Sequence, residues 1–298
     1  MSVTIASIKE LRQRSGAGMM DCKKALGETE GNVEEALIWL QKKGISKAAK
    51  KAGRTAAEGL VGLKIEGGAA VIIEVNCETD FVARNENFQA FVDRLTNLAF
   101  EAGVTDIDGL NGVAVEDGKT VADWVPEQIA AIGENIQLRR LQRLESAEGL
   151  IGGYVHAGSK IGVLVETAVA TASTEAAAEF SRNVAMHVAA ARPEFLSPDD
   201  VDDATQAARK DILVAQALDS GKPPEIVEKM IVGRMRKWLA EISLLKQPYV
   251  KDPDMSVEKY QKSVGGLSIS RFVRFQVGEG IEVEKSSLAD EVAALSGN

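Results

Sequence analysis

The chain has 298 residues, of which 45% are hydrophobic and 27% are charged, and its formal net charge at pH 7 is −9. This length is sufficient for two or more domains with buried cores, and the hydrophobic fraction excludes a wholly disordered protein. The acidic balance argues against binding to a phosphate backbone as the main task, because such binding needs clustered cations. Aromatic residues are only 5% of the chain, which disfavours a stacking platform for single-stranded nucleic acid.

Nothing in the sequence predicts export or membrane insertion. A spanning helix would need an apolar run of about 18 residues, and no such run is present. The first residues lack the apolar core of a signal peptide. The two cysteines, Cys22 and Cys77, are far apart and form no CxxC pair. We therefore expect a cytoplasmic protein with reduced thiols and no membrane association.

The first 45 residues repeat apolar side chains at helical spacing in three short stretches, interrupted near Gly16 and near Gly31. This pattern predicts a small three-helix module. Met19 and Met20 follow the first interruption, where we expect a loop. Methionine usually fills cores, but adjacent residues on a loop do not easily both point inward, so one of the pair is a candidate exposed contact.

A basic segment, Lys43 to Arg54, follows this module and completes a first domain that we predict to cover residues 1–55. Its simplest interpretation is a solvated helical linker, and the alternative is a contact with RNA. Nucleic acid is nevertheless an unexpected partner for the chain as a whole, because of its acidic balance.

An internal repeat organises the middle of the chain. The segment AEGLVG at 57–62 recurs as AEGLIG at 147–152. Each copy leads through a glycine-containing turn into an apolar strand, VIIEV at 71–75 and IGVLVE at 161–166. Each strand precedes a helical stretch and a later strand-like run, which are Asn87 to Gly103 with 135–144 in the first copy and Thr174 to Ala191 with 266–277 in the second.

We predict an α+β fold with a duplicated core, in which subdomains 56–145 and 146–277 each carry a small antiparallel sheet backed by helices. The second subdomain has an insertion at about 199–245, where two helical stretches are joined so tightly that they should run antiparallel as a hairpin. Residues 278–298 form a short C-terminal module, whose LADEVAAL segment predicts a helix.

Residues for bond-making chemistry are scarce. The chain has only two histidines, His156 and His187, and it contains no HExxH, CxxC, P-loop or GxSxG motif. His187 lies in an alanine-rich helical stretch, which indicates a packing residue, whereas His156 is predicted at a hairpin tip. We therefore expect no catalytic residue, no metal or cofactor site and no nucleotide site in this chain.

The stretch VIIEVNCETDFVARN, from Val71 to Asn85, changes character abruptly. An apolar strand is followed by an acid, Asp80, beside a large aromatic residue, Phe81. A strand that needed only to stop would use glycine or Asn-Gly. An exposed phenylalanine lowers solubility unless it is covered, so Phe81 either folds back into the core or is received by a partner.

Two long segments resemble the signature segments of the bacterial elongation factor Ts family: LRQRSGAGMMDCKKAL, Leu11 to Leu26, and EVNCETDFVAR, Glu74 to Arg84. The order of helical module, basic linker, duplicated core, hairpin and C-terminal module is also similar to that of the family. The resemblance implies a guanine-nucleotide exchange factor for elongation factor Tu, which acts by non-covalent displacement and not as an enzyme.

The resemblance also implies roles for individual residues. The tip that follows the first core strand consists of Thr79, Asp80, Phe81 and Val82. It would enter the GTP-binding domain of elongation factor Tu beside the magnesium site, displace the ion and disturb the phosphate loop, so that GDP leaves and GTP binds. Further partner contacts are implied for four residues elsewhere in the chain: Arg12, Met19, Met20 and His156.

Two other functions remain open from the sequence. One is a pure interaction module, in which a UBA-like three-helix unit docks without exchange activity. The other is a subunit of an RNA–protein assembly, indicated only by Lys47 to Arg54. Stimulated nucleotide release would distinguish an exchange factor from both, and salt-sensitive retention of RNA would support the last.

Overall fold

The computed structural model describes residues 3–147, 149–218 and 223–282. The chain forms two compact units. The first contains the chain up to Gly62, residues 73–141 and the chain from Gln276 onward, and the second contains residues 63–72 and 142–275. None of the helices described is long and apolar enough to cross a membrane.

The N-terminal module consists of three helices: α1 (Ile5–Ser15), α2 (Met19–Glu28) and α3 (Val33–Lys51). Thr4 begins α1 through a capping box with Ser7, and Asn32 begins α3 by accepting hydrogen bonds from two backbone N–H groups. The shared buried core contains Leu11, Cys22, Ala25, Leu26 and Ala36. The predicted three-helix module is confirmed, although α3 has 19 residues and includes most of the basic segment.

The first sheet has three strands in the order β1 (Glu58–Glu66), β2 (Ala69–Cys77) and β3 (Ile136–Glu145). A two-residue turn, Gly67–Gly68, joins β1 to β2. Both glycines have positive φ angles, +58° and +82°, as a tight hairpin of right-handed twist requires. The strands predicted from the repeat and from residues 135–144 are therefore confirmed.

Four α-helices separate β2 from β3: α4 (Asp80–Ala83), α5 (Glu86–Glu101), α6 (Ile107–Asn111) and α7 (Val121–Ile132). Of these, the sequence predicted only α5, as the helical stretch Asn87 to Gly103 that follows the first core strand. α3 packs against α7, where Gly44 is buried beside the Pro126 carbonyl and Ala130. Pro126 lies inside α7, and proline argues against a helix when only the sequence is known.

The second unit begins its own sheet with β4 (Gly149–Val155) and β5 (Ile161–Val169), followed by α8 (Thr174–Ala191). β4 and β5 pair antiparallel, from Gly149 opposite Ala168 to Val155 opposite Gly162. The side chains buried between strands and helix include Val163, Val165, Phe180 and Val184.

The hairpin insertion consists of α9 (Asp203–Leu218) and α10 (Pro224–Ile242), which pack together through Ala217, Val227 and Ile231. The chain continues through β6 (Pro248–Tyr249), β7 (Asp252–Ser256), α11 (Val257–Val264) and β8 (Leu267–Gln276). The second sheet has the order β4-β5-β8, which matches that of the first sheet. The helix predicted in LADEVAAL lies outside the described residues.

The last glycine of each sequence repeat lies where a helix packs closely on the sheet. A Cβ atom at Gly62 would lie 2.0 Å from the Thr96 hydroxyl oxygen of α5, and a Cβ at Gly152 would lie 2.4 Å from Ser181 Cβ of α8. Real Cβ atoms do not approach so closely, so each sheet needs glycine where its helix crosses. The predicted α+β fold with a duplicated core is confirmed.

His187 of α8 is fully buried, as expected for a packing residue. Its Nε2–H donates to Gln247 Oε1 at 2.9 Å, and its Nδ1 accepts from the Val250 backbone N–H at 3.1 Å. The Gln247 amide nitrogen donates to the Glu241 carbonyl, so the amide oxygen faces the ring and selects this neutral tautomer. Burial lowers the pKa of His187 below its ordinary value, and the hydrogen bond to Gln247 opposes that effect only in part.

We expect acid to destabilise the fold around His187. Because its folded pKa is depressed, the unfolded chain binds more protons below about pH 6.5. The stability contributed by His187 is therefore complete above that pH and is lost as the pH falls from it toward the lower folded pKa. In NMR titrations, with a His156→Gln variant to assign the two rings, His187 should titrate below pH 6.5. A midpoint at or above that value would contradict the buried neutral ring.

Candidate functional site

The strand that leads to the tip carries a buried acid. The Glu74 carboxylate, at the centre of β2, accepts hydrogen bonds from Arg139 (2.9 Å) and Arg140 (2.6 Å) of β3 and from the Gly278 backbone N–H (2.8 Å). Burial alone would raise the pKa of Glu74, but the hydrogen bonds from Gly278, Arg139 and Arg140 together outweigh burial and hold that pKa below its ordinary value. These hydrogen bonds tie β2 to β3 and to the segment that follows β8.

The tip is a short helical turn. Thr79 has extended backbone angles (φ −125°, ψ 155°), and its hydroxyl oxygen accepts from the Val82 N–H at 3.3 Å, so Thr79 is the N-cap of α4. Ala83 is buried at the end of this turn, and Asn85 caps α5 directly afterwards. The backbone of the tip is therefore fixed at both ends.

Phe81 projects into solvent. Its residue surface is 80% exposed, more than that of any other large apolar residue in the described part of the chain. Asp80 forms an ion pair with Arg84 at 2.9 Å, one turn along the chain, and both side chains are exposed. Of the two alternatives that the sequence left open, the structure excludes the one in which Phe81 folds back into the core.

Two residues that the sequence analysis did not single out hold the root of the tip. Glu134, just before β3, accepts from the backbone N–H groups of Glu78 (3.1 Å) and Thr79 (3.0 Å) and from the Thr79 hydroxyl (2.6 Å). In return, the Glu78 carboxylate accepts from the Asn135 N–H at 2.6 Å. We call these four interactions the crossed hydrogen bonds. No local pattern reveals them, because they join residues that are at least 55 positions apart in the chain.

Arg12, Met19 and Met20 flank a single turn of the N-terminal module. Arg12 lies in the last turn of α1, and the methionines are the first two residues of α2, so the loop predicted for them is wrong. Gly16, with φ +65°, ends α1, and Gly18 begins α2 as its N-cap, which leaves a very short break between the helices. Met19 is 56% exposed and Met20 75% exposed. Both, and not one of the pair, are available to a partner.

His156 lies in the second unit, on the turn between β4 and β5. Its backbone N–H donates to the Ile161 carbonyl, which closes the hairpin as predicted. Its exposed ring places Nδ1 3.0 Å from the Tyr154 hydroxyl. A groove of roughly 470 Å³ opens beside the ring, and its walls include Met186, Arg192, Val250 and Lys251.

The basic segment makes contacts within the first unit. The contacts are Lys43 over the Trp39 ring, Lys47 paired with Asp21 at 3.0 Å, Lys51 donating to the Gly133 carbonyl, and Arg54 paired with Glu78 at 3.4 Å. Four of the five cationic side chains from Lys43 to Arg54 therefore have a partner within the first unit. This arrangement favours the interpretation of the segment as a linker over a contact with RNA.

The chemistry available at the tip is that of a contact surface. It presents an apolar ring and a carboxylate on a fixed helical turn. Among the residues that the structure describes, no group of three or more His, Cys, Asp or Glu is arranged to hold a metal ion. Cys22 and Cys77 are buried, and neither forms a disulfide.

Comparison with known proteins identifies the family. A family profile described as Elongation factor TS matches residues 78–279. Elongation factor Ts of Hydrogenovibrio crunogenus is 51% identical over 298 residues, which cover 99% of this chain and 98% of that protein. Elongation factor Ts of Magnetococcus marinus is 49% identical over 301 residues, covering 99% of both proteins. Elongation factor Ts of Syntrophotalea carbinolica is 46% identical, covering 99% of this chain and all of that protein.

These matches extend along nearly the entire chain, so they include the N-terminal module, the tip and both copies of the core. The chain therefore belongs to the elongation factor Ts family of translation elongation factors.

Proposed function

We propose that this chain is the guanine-nucleotide exchange factor of elongation factor Tu. It binds elongation factor Tu in its GDP-bound state and promotes release of GDP, after which GTP binds. Membership of the family supports the proposal, and the observation that carries it is the exposed Phe81 on a fixed helical turn. The activity needs no covalent chemistry, only a surface that prefers the nucleotide-free partner.

The tip is suited to act as a wedge, by which we mean a rigid projection that inserts into the partner and displaces its helices. An apolar pocket that receives Phe81 removes a large hydrophobic surface from water, which is worth about 25 cal/mol for each Å² buried. The turn is capped by Thr79 and its root is hydrogen-bonded to Glu134, so ordering it on binding costs little free energy. Most of the binding free energy is then available to displace groups in the partner.

In the proposed mechanism the tip enters beside the magnesium site of the GTP-binding domain. Such domains hold the nucleotide phosphates with backbone N–H groups and with Mg²⁺. Asp80 and Phe81 shift the surrounding helices and dislodge the ion, which withdraws the largest positive charge facing the β-phosphate. The disturbed phosphate loop then fits the nucleotide poorly. Asp80 exchanges partners easily, because an exposed pair such as Asp80–Arg84 contributes only about 0–1 kcal/mol.

Thermodynamic linkage makes the exchange reversible. Nucleotide and factor weaken each other's binding to elongation factor Tu by the same ratio. Each coupling free energy of about 1.4 kcal/mol corresponds to a tenfold change in affinity. One desolvated aromatic side chain and one charge are sufficient for several kcal/mol of coupling. GTP therefore releases the factor by the same coupling that expelled GDP.

The remaining predicted contacts hold the partner while the tip acts. Arg12, Met19 and Met20 contact another helix of the same GTP-binding domain, and His156 contacts a different domain of the partner. The methionines are suited to this role because the flexible thioether adapts to irregular apolar surfaces.

Stimulated release of GDP tests the proposal. Elongation factor Tu loaded with fluorescent GDP is mixed with this chain and an excess of unlabelled nucleotide. We expect release to accelerate with factor concentration, and calorimetry of the chain alone with GDP or GTP to show no heat of binding. Binding to elongation factor Tu without faster release would instead identify a docking module, and the proposal would be wrong.

Replacement of Phe81 by alanine separates folding from exchange. The exposed ring contributes little to the free protein, so the free energy of unfolding should change by at most about 0.5 kcal/mol. Loss of a desolvated anchor costs about 2 kcal/mol or more of binding, so GDP release at subsaturating factor should slow roughly tenfold or more. Thermal melting and stopped-flow release are measured on the same preparations. Asp80→Ala should slow release in the same direction.

The matched control for Phe81→Ala is Val232→Ala, which removes another exposed apolar side chain, 65% exposed on α10. It should leave release at the wild-type rate. Strong destabilisation by Phe81→Ala with unchanged release per folded molecule would refute the wedge.

Met19→Ala and Met20→Ala test the contact of the N-terminal module. Both residues are exposed, so each change should leave the melting temperature close to that of the wild type. Each should slow release several-fold, by about threefold to tenfold, through weaker binding to elongation factor Tu. Ile38→Ala, 52% exposed on α3, is the control in the same module. Unfolding of α1 to α3 in the methionine variants would show that these residues support the module itself.

A further inference from the structure

The root of the tip contains donors that the sheet does not pair. β2 ends at Cys77, so the backbone N–H groups of Glu78 and Thr79 need partners outside the strand. Both donate to Glu134 Oε2, at 3.1 and 3.0 Å, and the Thr79 hydroxyl donates to Glu134 Oε1 at 2.6 Å. One carboxylate thus binds three donors from the two residues directly before Asp80.

The chain before β3 is held in return. The Glu78 carboxylate accepts from the Asn135 N–H at 2.6 Å, and the Asn135 side chain donates to the Arg54 carbonyl at 2.8 Å. The Arg54 guanidinium lies 3.4 Å from Glu78, so a cation offsets the charge of that acid. Three segments that are distant in sequence therefore meet here: the end of the linker, the root of the tip and the start of β3.

We propose that Glu134 is a positioning residue for nucleotide exchange, which acts by fixing the direction in which α4 presents Phe81. This inference rests on the proposed function. Glu134 touches neither the partner nor the nucleotide in this mechanism, and it acts through Thr79.

The Thr79 hydroxyl connects the Glu134 carboxylate to the start of α4. It donates its proton to Glu134 and accepts from the Val82 N–H, so the carboxylate sets the orientation of the group that caps α4. Without the carboxylate, the hydroxyl is free to rotate and two backbone N–H groups lose their acceptor. The turn that carries Asp80 and Phe81 then samples more orientations, while the remaining contact residues, Met19 among them, are unaffected.

A carboxylate fits this position because all three of its neighbours donate. Glutamine keeps one oxygen for the two backbone N–H groups, and the Thr79 hydroxyl can then reverse to accept from the amide nitrogen. Glu134→Gln should therefore retain part of the function that Glu134→Ala loses. The loss of function should therefore be smaller in Glu134→Gln than in Glu134→Ala, although both changes are confined to one side chain.

The first test needs no partner. Amide hydrogen exchange is followed by NMR in the free wild-type protein and in the Glu134→Ala and Glu134→Gln variants. We expect exchange at Glu78 and Thr79 to accelerate roughly tenfold or more in Glu134→Ala, less in Glu134→Gln, and not at all at Val75 within β2. Glu116→Ala, which removes an exposed carboxylate paired with Arg94, is the control. Wild-type protection at Glu78 and Thr79 in both Glu134 variants would overturn the inference.

The second test measures exchange over a range of factor concentrations. Glu134→Ala should lower the maximal rate of GDP release about fivefold or more, and it should change the half-saturating concentration far less, since the other contacts still bind the partner. Glu134→Gln should recover part of the rate. In a Phe81→Ala background, Glu134→Ala should have a smaller effect than in the wild type, because one of the two side chains on the turn that it orients is already absent.

The combined results separate this inference from the proposed function. If the wild-type chain does not accelerate GDP release, the proposed function itself fails. If it does, but Phe81→Ala leaves release unchanged, the wedge mechanism fails and the role of Glu134 fails with it. If Phe81→Ala slows release while Glu134→Ala does not, or if the two effects multiply, only the positioning role is wrong.

Discussion

A buried carboxylate at the centre of β2 is the constraint on which the tip depends. Burial of Glu74 without compensation would be strongly unfavourable, and its oxygens are surrounded by donors from Asn76, Arg139, Arg140 and Gly278. A shift of β2 along its axis would break several charge-assisted hydrogen bonds, each worth about 1.5–3 kcal/mol. The strand is therefore a fixed base, and the residues that follow Cys77 begin from a defined position.

Three of the proposed contact residues of the first unit lie at the start of a helix. Phe81 lies in the first turn of α4, after the cap residue Thr79, and Met19 and Met20 begin α2 after the cap residue Gly18. Thr79 caps α4 with its side chain, whereas Gly18 does so for α2 only with its backbone, and in both helices a residue in the first turn can project beyond the surface that the rest of the helix buries. The protein thus exposes large apolar side chains, which cost solubility, on backbone that is already ordered. That arrangement lowers the entropy lost on binding.

The sequence pattern, above all the internal repeat, predicted the main strands and helices of the core. The stretch Thr174 to Ala191 matches α8, and the strands of both repeats are close to the observed ones. It failed for α7, where Pro126 lies inside the helix, and it placed Met19 and Met20 on a loop because glycines precede them. Local patterns do not distinguish a glycine that caps a helix from one that begins a loop.

The candidate site was predictable only in its local part. The abrupt appearance of Asp80 and Phe81 after a buried strand indicated the tip, but the pattern left open whether Phe81 was buried. Burial is decided by tertiary contacts, and so are the crossed hydrogen bonds from Glu134 and Asn135. These residues have no distinctive neighbours in the sequence, and they reach Glu78 and Thr79 only because β3 returns beside β2.

In the proposed mechanism, the tip enters the GTP-binding domain of elongation factor Tu. Placing a photoreactive benzophenone amino acid at position 81, irradiating the mixture with elongation factor Tu and mapping the cross-linked peptide tests it most directly. We predict cross-links to the GTP-binding domain beside the magnesium site, and their loss when excess GTP dissociates the complex. Cross-links from position 81 to another part of elongation factor Tu, in a complex that still releases GDP, would contradict the account.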